Sequence, residues 1–237
     1  DGSYLRFPTM AAEITPYWWQ LNIVDRIISS DAVLCGHVVG AGKTLSMAMS
    51  AVALRQYGLA NKPAIVVPNH LLEQISREMT QAFPLGKFLI ATKDDLTKER
   101  RRSFAARCST GDWDAVVMTH GAFTSLAVHP NVEKAWIQEQ VDEMRSSMYS
   151  AKNSYGFSSR QISKRLRSLE GKLEKMRTDA RKDEGQVFFE QLGIDYLAID
   201  EAHYMKRLDV GSRMDGFSMG ASKRATDLLL KSSWLRR

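Results

Sequence analysis

A doubly wound α/β fold, with a mostly parallel sheet flanked by helices, is what this sequence predicts. Two observations predict it: short apolar runs without polar alternation, and amphipathic helical patterns lying between them. Ala32 to Cys35, Ala64 to Val67, Phe88 to Ala91, Ala115 to Met118 and Tyr196 to Ile199 are each too short for a helix and read as strands buried on both faces. Helices are expected over Leu45 to Tyr57, stopped by Gly58, over Leu71 to Phe83, stopped by Pro84, and over Leu96 to Cys108, with Asp94 or Asp95 as N-cap.

The rhythm changes between Val132 and Gly185. Ile137, Val141, Met144 and Met148 are spaced 4, 3, 4, and Ile162, Leu166, Leu169, Leu173 and Met176 continue with 4, 3, 4, 3. Each set is a heptad seam. With the turn-prone Asn153, Ser154, Tyr155 and Gly156 between them, the two arms predict an antiparallel helical hairpin spanning 132–185, inserted into a domain made of 1–131 and 186–237.

Length, charge and composition narrow the classes of function. The 237 residues, 44% apolar and 25% charged, can bury a core without staples, and no run reaches the roughly 18 uncharged apolar residues of a membrane span. Cys35 and Cys108 stand in unrelated contexts, which argues against a disulfide framework or zinc cluster and fits a reducing cytoplasm. Net charge is +6, and Ser158 to Lys182 alone carries nine basic residues against three acidic ones. This arm is either a grip for a polyanion or a solvated helix face whose charge the more acidic first arm offsets.

Gly36 to Thr44 reads GHVVGAGKT, between the first strand candidate and a helix. Gly40 and Gly42 allow the tight turn that aims backbone N–H groups at phosphate oxygens, and the helix N-terminus adds its positive end. Val39, Gly40, Ala41, Gly42, Lys43 and Thr44 are therefore the candidate nucleotide contacts, Lys43 for the β and γ phosphates and Thr44 for Mg²⁺. His37 stands where the usual pattern has its first glycine and is expected to pack or hydrogen-bond locally.

Asp200 to His203 reads DEAH, directly after the last strand candidate. A parallel strand running into two acids puts both at the carboxyl edge of the sheet, where ligands of such folds bind. Asp200, nearer the strand, suits the Mg²⁺ shell, and Glu201 suits polarisation of an attacking water.

With GAGKT and DEAH in place, the chain resembles the first RecA-like domain of a superfamily 2 helicase. It is most similar to Swi/Snf-type double-stranded DNA translocases, and among these to helicase modules of phage and plasmid helicase-methyltransferase proteins of the DarB kind. The resemblance implies an ATP hydrolase using ATP and Mg²⁺, with DNA and a second RecA-like domain as partners and a fused methyltransferase as a further one. PYWWQ resembles the adenine-recognising Q motif and implies that role for Gln20. AIVVPNHLLEQ and VVMTHGAF resemble motifs Ia and Ib, implying sugar-phosphate contacts by Pro68, Asn69, Thr119 and His120. His203 would relay nucleotide state toward motif III and the partner domain.

Two departures accompany the resemblance. Lys206 and Arg207 replace the usual basic-plus-Asn turn, and nothing after His203 resembles motif III, whose strand lies between those of motifs I and II. The expectation is a piece of a longer protein, truncated before that strand and inactive by itself. The alternative reading is a non-catalytic nucleotide-sensing or docking module in which the hairpin is the working surface.

Overall fold

Four of the five apolar runs become strands in the computed structural model, which describes residues 1–151, 166–167, 170–171, 186–206 and 222–236. They are β1 (Pro63–Val67), β2 (Phe88–Ala91), β3 (Ala115–Thr119) and β4 (Tyr196–Ile199), in the sheet order β2-β3-β1-β4. Every ladder is parallel, with Ile65 opposite Val117 on one side and Ala198 on the other. The two central strands, β1 and β3, are buried along their whole length, which explains why their sequences are continuous apolar runs.

Helices fill the intervals: α1 (Trp18–Ile28), α2 (Lys43–Gln56), α3 (Leu72–Ala82), α4 (Arg101–Thr110), α5 (His120–Ser125), α6 (Pro130–Ala151) and α7 (Lys223–Leu235). In α3 the buried residues Leu72, Ile75, Met79 and Ala82 follow 3, 4, 3 spacing, the stripe of a helix laid on a sheet. Helix α2 is different. Ala48, Met49, Ser50, Ala51, Ala53 and Leu54 are all buried because α2 touches α1, α3 and β1 at once, and its small residues permit that approach. The Ser50 hydroxyl satisfies itself on the Ser46 carbonyl at 2.7 Å.

Two expectations fail here. Ala32 to Cys35 forms no strand: Leu34 is 89% exposed, and among the described residues no strand lies along the free edge of β4 for this run to join. An apolar run without a ladder partner has no sheet to be buried in. The helix predicted from Leu96 starts instead at Arg101, after a 3-10 turn at Asp94–Leu96. Asp95 turns back to accept from the Thr92 amide at 2.9 Å and hydroxyl at 2.8 Å, so it closes a loop rather than capping the helix.

The amino edge of the sheet is latched by polar groups. Arg55 at the end of α2 donates to the Asn61 and Trp113 carbonyls and to Asp112, each at 2.6 Å, and Asp195 accepts from the Lys62 amide at 2.8 Å. Buried Lys62 sends its ammonium to the Cys108 and Ser109 carbonyls, the latter at 2.8 Å, satisfying acceptors that end α4. The opposite edge is left to loops.

The described chain gathers into two compact units, Asp1–Leu126 with Glu190–Ala202, and Ala127–Phe189 with His203–Arg237. The sheet belongs to the first. The second contains α6 and α7, with a bridge between Ala127 and Phe188 and a core where Phe189 meets Trp234 edge to face. Lys231 is 0% exposed there; it pairs with Asp227 at 2.6 Å and lies 5.5 Å over the Phe189 ring. Ile137 and Val141 pack with Leu166, and Arg145 bonds Glu170 at 2.8 Å, a pair of the opposite sense to the expected one, since the base comes from the acidic arm and the acid from the basic arm. The Asn153 to Gly156 turn and most of the second arm, Ile162, Leu169, Leu173 and Met176 included, fall outside the described residues, as do Arg207 and the Met144 and Met148 side chains.

Candidate functional site at the carboxyl edge of the sheet

The Gly-rich loop leads into α2 through Gly42, which caps the helix in the left-handed region at φ 74°, with Gly40 likewise at φ 84°. A side chain at 42 would be strained in that conformation and would also displace the Gln20 amide nitrogen. No side-chain hydrogen bond caps α2 at its first turn. The Lys43 ammonium curls over the same loop, donating to the His37 carbonyl at 3.3 Å and the Val38 carbonyl at 3.2 Å. Thr44 is half-buried in the first turn, while Val39 and Gly40 are exposed.

Helix α1 braces this loop from outside. Gln20, only 2% exposed, accepts from the Tyr17 amide at 2.9 Å and donates to the Gly42 carbonyl at 3.0 Å. Trp19 donates its ring N–H to the Ala41 carbonyl at 3.2 Å and stacks on Tyr17 with centroids 4.3 Å apart. Sequence reasoning marked Gln20 for adenine; in the structure two of its hydrogen-bonding positions are committed to backbone, and its visible task is to fix the loop. The part played by Trp19 was not foreseen, although the aromatic run directly before Gln20 was its signal. His37 meets its expectation in part: its carbonyl serves Lys43, while its buried Nδ1 has no hydrogen-bond partner among the described residues.

Three strand ends lie side by side at the carboxyl edge: Pro68 and Asn69 after β1, Thr119 and His120 at the end of β3, and Asp200 and Glu201 after β4. Asp200 extends the ladder, donating its amide to the Val66 carbonyl at 2.8 Å. Glu201 follows in the left-handed region at φ 50°, the one non-glycine residue there among the described residues, a conformation costing about 1–3 kcal/mol. His120, 8% exposed, places Nε2 2.9 Å from the Asp200 carbonyl. Thr119 is also buried, its hydroxyl accepting from the Ala122 amide at 3.0 Å to cap α5. Among the four residues expected to touch nucleic acid, Asn69 alone is exposed; Pro68 is buried. Asn69 lies beside Gly121, close to Thr119.

The structure thus joins Gln20 to the Gly-rich loop and His120 to the acidic pair. Among the described residues no hydrogen bond or ion pair joins Lys43 to Asp200. His203, stacked on Tyr204 with centroids 4.5 Å apart, lies in the second unit. Thr44 and Asp200 carry oxygen donors, the kind a hard cation takes, and no group of three His, Cys, Asp or Glu residues is poised for a metal among the described residues. No helix among the described residues is long and apolar enough to cross a membrane.

The model of a probable helicase domain matches residues 26–232 of the chain. No curated protein matches the sequence. Among solved structures, the Sulfolobus solfataricus SWI2/SNF2 ATPase core in complex with dsDNA is similar, with 12% identity and a TM-score of 0.40 over 51% of this chain and 25% of that one. The chain therefore spans about a quarter of the length of that structure.

Proposed function

The chain belongs to the probable helicase domain family, and from that premise we propose that it is the ATP-binding first motor domain of an ATP-dependent DNA helicase or translocase, active when joined to a second RecA-like domain. One observation carries the proposal: a parallel strand, β4, ends in Asp200 and Glu201 in a chain whose Gly-rich loop opens α2 with uncapped amides and Lys43 folded over it. These are the two halves of a phosphoryl-transfer site, an anion cradle and a carboxylate pair.

Gly40, Ala41, Gly42 and the α2 amides would receive the phosphates, and Lys43 would exchange its loop carbonyls for phosphate oxygens. Thr44 and Asp200 would hold Mg²⁺, which when bound supplies positive charge against the triphosphate. Glu201 would accept a hydrogen bond from the attacking water and orient it toward the γ-phosphate. Gln20 would meet adenine with the amide hydrogen not spent on Gly42, and His203 would sense nucleotide state toward the partner domain.

Double-stranded DNA would run across the strand-end loops, bound mostly through phosphates and therefore weakened by salt. The Thr119 and His120 side chains are turned inward, so Asn69 and the main chain around it would make most of those contacts. A fused methyltransferase of the DarB kind and a cytoplasmic setting belong to the same proposal; the two free cysteines, Cys35 and Cys108, are compatible with the latter.

The test is ATP hydrolysis by the full-length protein with and without DNA. Turnover stimulated by DNA and abolished in Lys43→Ala is expected. Undiminished turnover in that variant would contradict the proposal.

A further inference from the structure

We propose that His120 is a positioning residue for the Glu201 carboxylate, acting through the peptide group between Asp200 and Glu201. The inference rests on the reading of Glu201 as the residue that orients water.

Two bonds grip the backbone where β4 ends. The Asp200 amide is held by the Val66 carbonyl of β1 at 2.8 Å, and the Asp200 carbonyl accepts from His120 Nε2 at 2.9 Å. The carbonyl belongs to the same peptide plane as the Glu201 amide. Flipping that plane would turn the carbonyl away from His120 and move Glu201 out of the left-handed region it occupies at φ 50°. A glutamate relaxes to negative φ unless its surroundings prevent it, and the imidazole is a surrounding group that does so. Its own placement is fixed: His120 opens α5 directly after Thr119, whose hydroxyl caps that helix, and it is buried. The link reaches from the end of β3 past the end of β1 to β4, three strands tied at one edge.

The consequence concerns direction rather than presence of the carboxylate. With the peptide pinned, Glu201 leaves the sheet along one vector. With it free, the same side chain samples others, and misplacing a catalytic group by an ångström costs roughly a hundredfold in rate.

The experiment compares His120→Leu, His120→Gln and Glu201→Gln in the full-length protein, measuring kcat, KM for ATP, nucleotide Kd and melting temperature. Leucine fills the buried space without a donor, whereas the glutamine amide reaches about as far as Nε2 and can still donate. His120→Leu is expected to lower kcat by roughly 10- to 100-fold with KM and nucleotide Kd within about threefold of the parent, and His120→Gln to restore most of the loss. Should the leucine variant fail to fold, His120→Asn, one methylene too short to reach, takes its place. Wild-type kcat in the donor-less variant overturns the inference, and so does an equal loss in His120→Gln. Glu201→Gln separates the two levels. If it turns over normally, the reading of Glu201 falls and the inference with it; if it is inactive while His120→Leu is active, the inference alone falls.

Discussion

Gln20 and Gly42 are joined across 22 residues by a 3.0 Å hydrogen bond from a buried side-chain amide to a loop carbonyl. The bond makes the end of the Gly-rich loop part of the α1–α2 packing rather than a free turn. Replacing Gln20 with Ala removes it together with the bond from the Tyr17 amide, and should destabilise the domain by about 1–3 kcal/mol. Thermal unfolding with and without ATP checks this: the expected result is a lower melting temperature and weaker stabilisation by nucleotide. Gly42→Ala, strained and overlapping the same amide, should lose nucleotide binding more completely than Gln20→Ala does.

Trp19 offers an optical reading of the same loop. Its ring N–H is bonded to the Ala41 carbonyl, so any rearrangement of the loop changes the polarity around the indole. Titration with ATP is expected to shift tryptophan emission, and Trp19→Phe should remove most of that response while Trp113→Phe leaves it.

Acid sensitivity should trace in part to the latch on the opposite edge. The hydrogen bond and charge of Arg55 hold the Asp112 carboxyl below its ordinary value of 3.8. A lowered carboxylate stabilises the fold above that value and loses its contribution as pH falls through the depressed folded value. Asp112→Asn should therefore flatten the dependence of melting temperature on pH in the acidic range. An unchanged profile would show that the exposed clasp contributes nothing.

The two thiols should differ in reactivity. Burial pushes the Cys108 thiol up to about 11, against the opposing effect of the Lys62 charge, so it is neither ionised nor accessible at neutral pH. Cys35 is partly exposed in the run that precedes the Gly-rich loop. Iodoacetamide is expected to modify Cys35 in the native protein and Cys108 only after denaturation, as peptide mass mapping would report.

Legibility in the sequence followed burial at the centre of the sheet, while β4, read as buried on both faces, is only partly buried along its length. Strands β1 and β3 were readable because both faces are buried, leaving an uninterrupted apolar signal, and α3 because one stripe is. The segment at Ala32 to Cys35 carried the same signal and misled, since hydrophobicity reports what a run could bury and not whether a ladder partner lies beside it. Of the candidate site, the Gly-rich loop and the Asp200–Glu201 pair were visible as local spacings. Hidden were the long-range side-chain tasks: His120 reaching Asp200 over 80 positions, Gln20 and Trp19 holding backbone of the loop. A motif marks a residue as useful without saying which way its side chain turns, and Thr119 and His120 turned inward.

The parallel sheet also spreads its ladders unequally along the chain. Asp195 meets the Lys62 amide across 133 positions where β4 lies on β1, so this ladder carries the largest loop-closure entropy of the sheet. On the ribosome, the Gly-rich loop emerges and can fold against α1 while Asp200 and Glu201 have yet to be translated.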